Sequence, residues 1–96
     1  MRPKVSIITV TFNAEQYIER AIKSVLLQDY ENIEYVIIDG LSTDKTVDIL
    51  KKYSNRIDYW VSESDCGIYD AMNKAIDIIT GEFYVVMGAD DVLFPG

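Results

Sequence analysis

The chain has 96 residues, of which nine are basic and sixteen acidic, and its formal net charge is −7. This length allows one domain at most, and the acidic balance disfavours binding to a nucleic-acid backbone or an anionic lipid surface through charge. Cys66 is the single cysteine and there is no histidine. An internal disulfide, a histidine-containing catalytic triad and a histidine-ligated zinc site are therefore excluded.

The first half of the chain predicts two strands and two helices. Val5–Thr11 is β-branched and apolar, which is typical of a central strand, and Asn13 follows at the position expected for a helix N-cap. The helical spacing predicts a helix over residues 14–27. Its predicted inner face consists of Tyr17, Ile18, Ala21, Ile22, Val25 and Leu26. Residues 33–38 predict a second strand that ends on Asp39, and the sequence Ser42-Thr43-Asp44 offers caps for a second helix.

The second half repeats the alternation. Residues 57–61 predict a third strand, and apolar residues from Ile68 to Ile79 recur with helical spacing. Phe83–Met87 is an uninterrupted apolar run, which predicts a strand buried on both faces. The order βαβαβαβ predicts an α/β fold, a Rossmann-like three-layer α/β/α arrangement with a mostly parallel sheet. Ligands of such sheets collect at the carboxyl ends of the strands, here residues 10–13, 39–44, 62–67 and 88–91.

Those strand ends carry the candidate metal-binding and nucleotide-binding side chains. Asp90 and Asp91 are adjacent carboxylates that repel each other unless they are hydrated, hydrogen-bonded or face a cation, and a divalent ion carrying phosphates meets that need. An aromatic ring with exposed backbone at 10–13 and the carboxylate of Asp39 suit a nucleobase and its ribose. The alternatives stay open at this point: Asp39 is equally typical of a turn, Phe12 of a core, and Asp65 of an ordinary loop.

Several motifs of nucleotide-binding and hydrolytic proteins are absent from the sequence. It contains no Gly-x-Gly-x-x-Gly after the first strand, no phosphate-binding Gly-x-x-x-x-Gly-Lys-Ser/Thr and no Gly-x-Ser-x-Gly elbow. A receiver-like signalling domain is a weak alternative, because it requires an acidic pair after the first strand, where this chain has Thr11-Phe12-Asn13.

Four segments in order resemble the family 2 glycosyltransferases of the GT-A fold. Pro3–Asn13 resembles their first strand, and Ile38-Asp-Gly-Leu-Ser-Thr-Asp-Lys-Thr46 resembles their second motif. Ser62-Glu-Ser-Asp-Cys-Gly-Ile-Tyr-Asp-Ala-Met-Asn-Lys74 is similar to a segment of one branch, and Gly88–Asp91 corresponds to the Asp-x-Asp-type metal motif. Each motif alone is weak, whereas the four together are specific and cover the whole chain.

The resemblance implies a transferase that moves a sugar from a nucleotide-diphosphate sugar, commonly a UDP-sugar, to an acceptor hydroxyl with inversion. It implies that Val10, Thr11, Phe12 and Asn13 border the nucleobase and that Asp39 hydrogen-bonds the base. It further places Asp65 and Asp90 near the nucleotide. Asp91, together with Asp90, would ligate Mg²⁺ or Mn²⁺, which neutralises the diphosphate leaving group. The acceptor would be a glycan or another lipid-linked molecule.

The chain departs from the family pattern at several positions. Val10 stands where proline is common, Leu41 replaces a usual glycine, and Gly88 replaces the first acid of Asp-x-Asp. The family's catalytic base lies further along the chain than Gly96. We therefore expect residues 1–96 to be the N-terminal nucleotide-binding part of a longer cytoplasmic protein, at or near the inner face of the membrane, and to be inactive alone. We also expect self-association through apolar surface that is exposed because partners of the sheet are missing. The alternative is a non-catalytic nucleotide- or sugar-binding module of the same fold.

Overall fold

The computed structural model describes residues 3–28, 32–63 and 68–88, with the backbone alone for residues 68–71. Strands and helices alternate along this part of the chain, as the sequence predicts. The elements are β1 (Val5–Thr11), α1 (Ile18–Leu26), β2 (Ile33–Asp39), α2 (Thr46–Lys52), β3 (Tyr59–Ser62), α3 (Ile68–Ile78) and β4 (Phe83–Gly88). A short 3-10 turn, Ser54–Arg56, lies between α2 and β3. Within the described residues, no helix has the length and hydropathy needed to cross a membrane.

The four strands form one parallel sheet in the order β3-β2-β1-β4. β1 lies at the centre with β2 on one side and β4 on the other, so Thr11 is level with Asp39 and Val10 with Gly88. Parallel neighbours require crossover connections, which α1, α2 and α3 supply. The predicted α/β class and βαβαβαβ order are confirmed.

Side chains alternate between the two faces of the sheet and form two cores. On one face, Ile7, Tyr35 and Ile37 pack with buried residues of α1 and with Leu50 of α2. On the other face, Ile8, Val36 and Ile38 pack with Ala75 of α3. Helices therefore cover both faces, which confirms the predicted three-layer arrangement. Successive buried residues of β2 point to opposite faces of the sheet, so β2 contributes side chains to both cores.

The prediction that β4 is buried on both faces is wrong. Its first four residues, Phe83, Tyr84, Val85 and Val86, are all at least 36% exposed, and Met87 alone is buried. β4 is the edge strand of the sheet that the described residues form, and Met87 is its only residue in the two cores described above. An uninterrupted apolar run indicates a strand, but it does not fix how much of that strand the helices cover.

The amino end of β4 is held by a polar network. Gly81 N and Thr80 N donate hydrogen bonds to Ser6 Oγ at 3.1 Å and to Glu34 Oε1 at 2.8 Å, and Ser6 Oγ donates to the same Glu34 oxygen at 2.8 Å. Thr80 Oγ1 lies 3.0 Å from Glu34 Oε2. A Cβ at Gly81 would contact Ser6 Oγ and lie 2.9 Å from Ser6 N. Glycine is therefore required where the chain enters β4.

Two predicted boundaries are wrong. The first helix begins at Ile18 rather than at residue 14, and its N-cap is Tyr17, without a side-chain capping bond. Asn13 is instead in the left-handed region, with φ of 47°.

The third strand begins at Tyr59 rather than Ile57. Asp58, the residue before it, contacts β2 through its side chain as well as through its backbone. Asp58 Oδ2 accepts Tyr35 N at 2.7 Å, and Asp58 N donates to Tyr35 O at 3.0 Å.

Candidate functional site

A cleft of about 360 Å³ opens at the carboxyl ends of β1 and β4. Its lining consists of the consecutive residues 10–14 together with Tyr17 and Gly88. From β1 the chain continues to β2 and β3 on one side of the sheet and then returns to β4 on the other side. The strand order therefore reverses at β1. Open α/β sheets bind their ligands in the crevice at such a switch point, and the volume lies in the range of about 300–1,000 Å³ that is usual for small-molecule sites.

Two aromatic side chains border the cleft and are accessible from solvent. Phe12 is 62% exposed and Tyr17 is 45% exposed. The interpretation of Phe12 as a core residue is therefore excluded. The prediction that Tyr17 lies on the inner face of the first helix is wrong. The helix begins at Ile18, so Tyr17 is its N-cap and lies outside the helix. No signal in the sequence distinguishes Tyr17 from its buried neighbour Ile18, so sequence reasoning missed it as a cleft residue.

A buried hydroxyl belongs to the same lining. Thr11 is 3% exposed, and its Oγ1 has no hydrogen-bond partner within the described part of the chain. Its backbone oxygen is satisfied, since Gly40 N donates to it at 3.0 Å. A buried hydroxyl without a partner costs free energy of about 1–3 kcal/mol, and such groups require an explanation.

Asn13 connects the cleft to the loop that follows β2. Its backbone N donates to Ser42 Oγ at 2.8 Å, and its Oδ1 accepts Thr43 N at 2.7 Å. The backbone N–H and the side chain of Asn13 are therefore both held by the same neighbouring loop. Asparagine tolerates the left-handed region better than most residues because its short polar side chain bonds locally. The predicted N-cap is thus a link between two loops.

A second link lies beside the first. Ala14 N donates to Thr46 Oγ1 at 2.9 Å, and Glu15 N donates to Asp44 Oδ2 at 3.1 Å. Asp44 Oδ1 accepts Thr46 N at 2.9 Å, so this carboxylate caps the start of α2 from one position before its N-cap, Lys45. Desolvation raises the pKa of Asp44, but hydrogen bonds from Thr46 and from Glu15 N outweigh it and lower the pKa overall.

Asp39 lies below these loops at the end of β2. The residue is fully buried, with 0% exposure. Its Oδ2 accepts Ser42 N at 2.8 Å and Ser62 Oγ at 2.7 Å, and its Oδ1 accepts Ser42 Oγ at 2.6 Å. The carboxylate therefore joins the loop after β2 to the end of β3. The turn after it requires a left-handed residue at Leu41, whose φ is 64°.

The structure brings part of the predicted site together. Val10, Thr11, Phe12 and Asn13 lie side by side along the cleft, and Asp39 is level with Thr11 in the adjacent strand. Asp65, Asp90 and Asp91 lie outside the described residues, so their predicted roles stay predictions. The ranges that are described contain no cluster of three or more acidic or cysteine side chains suited to a metal ion. Gly88 ends β4 at the cleft, and Asp90 follows two residues later in the sequence.

A parallel sheet covered by helices on both faces, with a cleft at the switch point, is the arrangement of the doubly wound α/β proteins. The sequence model of glycosyl transferase family 2 matches residues 6–96, and the chain belongs to this family. A curated relative from Mycobacterium bovis, a PGL/p-HBAD biosynthesis glycosyltransferase, is 35% identical over 95 residues, which are 96% of this chain and 37% of that protein.

The solved structures that are similar to the chain include two GT-A glycosyltransferases. S. aureus TarS 1-349 in complex with UDP-GlcNAc is 32% identical with a TM-score of 0.85, over 93% of this chain and 27% of that one. The mannosyltransferase PcManGT from Pyrobaculum calidifontis, in complex with GDP-Man and Mn²⁺, is 30% identical with a TM-score of 0.88, over 96% and 29%. The chain spans 29–37% of the length of the first curated relatives that it matches.

Proposed function

We propose that the cleft at the ends of β1 and β4 binds the nucleotide of a nucleotide-diphosphate sugar, with UDP-sugars as the first candidates. The observation that carries the proposal is the clustering of Val10–Asn13 along this cleft, at the switch point of the sheet. The exposed ring of Phe12 offers a flat apolar surface to a base, and aromatic side chains stack readily on planar partners. Two similar structures of the GT-A fold are solved with UDP-GlcNAc and with GDP-Man, which supports this ligand class.

The proposal includes a divalent metal, Mg²⁺ or Mn²⁺, held by Asp91 with Asp90. Carboxylate oxygens are the ligands that both ions prefer, and β4 ends at the cleft two residues before Asp90. When bound, such an ion neutralises charge on the diphosphate leaving group. The described residues then bind and orient the rest of the nucleotide. Asp65 belongs to the same proposal as a further nucleotide contact.

The reaction proposed for the whole protein is a single displacement with inversion. An acceptor hydroxyl of a glycan or lipid-linked sugar forms a bond to the anomeric carbon, and the bond between that carbon and the diphosphate oxygen breaks. The hydroxyl proton passes to a general base. We propose a cytoplasmic location for this activity. Both the stereochemistry and the location are open to direct test, by NMR of the product anomer and by cell fractionation.

Isothermal titration calorimetry of the chain with UDP and GDP, each with and without Mn²⁺, tests the binding proposal. We expect UDP or GDP to bind in the presence of Mn²⁺ and to lose affinity when the metal is removed. Uridine is the ligand control, because it lacks the diphosphate and its binding should not depend on the metal.

Asp91→Asn is the test of the metal site within that experiment. We expect it to abolish the Mn²⁺-dependent part of UDP affinity. Asp48→Asn removes the same charge from the exposed side of α2 and should bind UDP as the wild type does. Equal Mn²⁺-dependent binding by Asp91→Asn and Asp48→Asn would reject the metal role, and no binding of either nucleotide by the wild type would reject the nucleotide site.

A further inference from the structure

We infer that Asp39 is a positioning residue for the nucleotide site, acting through Ser42 on Asn13 instead of touching the base itself. The inference rests on the proposed function for the identity of the ligand. It differs from the role that the family resemblance implies for Asp39, in which the carboxylate is a direct hydrogen-bond acceptor for the base. The contacts of the carboxylate carry the argument.

The carboxylate of Asp39 is already engaged by the chain itself. Three donors reach its two oxygens at 2.6–2.8 Å, two of them from Ser42 and one from Ser62. The residue has 0% exposed surface. A base that accepts or donates a hydrogen bond must touch an accessible atom, so contact with this carboxylate requires the surrounding loops to rearrange. Such a rearrangement would break charge-assisted hydrogen bonds, which are about twice as strong as neutral ones.

Ser42 transmits the effect of the carboxylate to the cleft. Its hydroxyl donates to Asp39 Oδ1 at 2.6 Å, and the same oxygen accepts the backbone N–H of Asn13 at 2.8 Å. Hydrogen bonds that share an atom in this way polarise one another and strengthen both. The hydroxyl bonded to a carboxylate is therefore a better acceptor for Asn13 N than an isolated hydroxyl. We call this series, from Asp39 through Ser42 to Asn13, the Asp39 relay.

The relay ends on a residue whose conformation needs support. Asn13 has φ of 47°, and it lines the cleft. Strained backbone of this kind persists where surrounding contacts determine it, and it is concentrated at ligand sites. Asn13 is held at its N–H by the relay and at its side chain by Thr43 N. Loss of the relay would let the segment after β1 relax and would change the lining of the cleft.

Calorimetry with UDP in the presence of Mn²⁺ tests the inference on four variants. Asp39→Asn and Ser42→Ala should each weaken binding about tenfold, which corresponds to about 1.4 kcal/mol. The double variant should be no weaker than either single one, because both act on the same series of bonds. Ser42→Thr keeps the hydroxyl and should restore binding to near the wild-type value.

Ser24→Ala is the matched control. It removes a buried serine hydroxyl that donates to Ala21 O within α1, away from the cleft. If this variant loses a similar amount of stability in urea but binds UDP normally, the loss in the relay variants is not a consequence of lower stability. Unchanged or tighter UDP binding by Ser42→Ala, with binding lost in Asp39→Asn alone, would overturn the inference in favour of direct contact.

An NMR measurement separates failure of the relay from failure of the proposed function. Without any nucleotide, Asp39→Asn should shift the Asn13 amide proton upfield and speed its exchange, because the acceptor Ser42 loses its charged partner. Ser24→Ala should leave that resonance in place. If the wild type binds neither UDP nor GDP, the ligand assignment fails while this resonance still decides the relay. An Asn13 amide that does not respond to Asp39→Asn would refute it.

Discussion

The side-chain oxygen of Asn13 accepts the backbone N–H of Thr43 at 2.7 Å, across 30 positions of sequence. This bond joins the loop after β1 to the loop after β2, and Asn13 N→Ser42 Oγ joins them a second time. Asparagine meets both requirements of the position, an acceptor at the right distance and tolerance of a φ of 47°. The two requirements are separable by substitution.

Asn13→Ala, Asn13→Gly and Asn13→Asp test these requirements in turn. Alanine loses the acceptor and is strained in the left-handed region, so we expect it to lower the free energy of unfolding by about 1–2 kcal/mol. Glycine loses the acceptor without strain and should cost less than alanine. Aspartate keeps the acceptor and should be closest to the wild type. Urea denaturation with a common m value provides the measurement. An alanine variant as stable as the aspartate variant would contradict the assigned bond.

Leu41 offers the opposite case, a residue whose side chain is unsuited to its backbone. Its φ is 64° and it is 54% exposed. Leu41→Gly should remove about 1–2 kcal/mol of strain and lose about 0.5–1 kcal/mol through unfolded-state entropy. We expect a net stabilisation of about 0.5–1 kcal/mol, measured in urea.

Leu27→Gly is the control for the same substitution at an unstrained position. Leu27 is also exposed, at 68%, but its φ is −90°. This variant should be destabilised by about 0.5–1 kcal/mol through entropy alone. Equal effects of the two substitutions would mean that Leu41 carries no strain.

The elements predicted best are those whose burial is decided locally. β2 is a continuous apolar run that both cores require, and it was predicted within one residue of its observed bounds. The start of α1 was missed because residues 13–15 give their backbone N–H groups to Ser42, Thr46 and Asp44, about thirty positions away. Hydrophobic periodicity carries no information about such long-range bonds. The exposure of β4 was missed for a related reason, since its place in the sheet depends on strand order.

The candidate site was predictable to the extent that strand ends define it. Val10–Asn13 lie along one cleft, as expected of residues that follow a central parallel strand. The burial of Asp39 was not predictable, because it depends on Ser62 from another strand. Tyr17 shares its spacing with the residues that α1 buries, so its place at the cleft could not be read from the sequence.

Acid should destabilise the protein in part through Glu34. Desolvation raises its pKa, but hydrogen bonds from Thr80 and Ser6 outweigh this and lower the pKa from its ordinary value of 4.5. A lowered folded-state pKa stabilises the fold above about pH 4.5, and this contribution is lost as pH falls through the folded-state value. Glu34→Gln should therefore be less stable than the wild type at pH 7, and the difference should shrink as pH falls below 4.5.

Urea midpoints at a series of pH values between 7 and 3 provide the measurement. Residual acid sensitivity is expected in Glu34→Gln, because the pKa of Glu19 is also lowered, first by the hydrogen bond from Tyr53 Oη at 2.6 Å. A difference between variant and wild type that is constant across this range would show that the Glu34 carboxylate is not stabilised by the fold.

Thr11 and Thr9 lie two residues apart on the same face of β1, and their buried hydroxyls differ in one respect. Thr9 Oγ1 lies 3.2 Å from Tyr35 Oη, whereas Thr11 Oγ1 has no partner in the described ranges. Thr9→Val should cost about 1 kcal/mol, because it leaves Tyr35 Oη without its partner. Thr11→Val removes an unsatisfied group without changing shape and should raise the free energy of unfolding by about 1 kcal/mol.

The same Thr11→Val variant reports on the cleft, because Thr11 is part of its lining. If the hydroxyl is retained for a ligand, the variant gains stability in urea and loses UDP affinity in calorimetry, a trade-off that is common at binding sites. Thr9→Val should lose stability and bind UDP as the wild type does. A destabilised Thr11→Val would show that its hydroxyl is satisfied in the free protein. A stabilised variant with unchanged UDP affinity would remove Thr11 from the site.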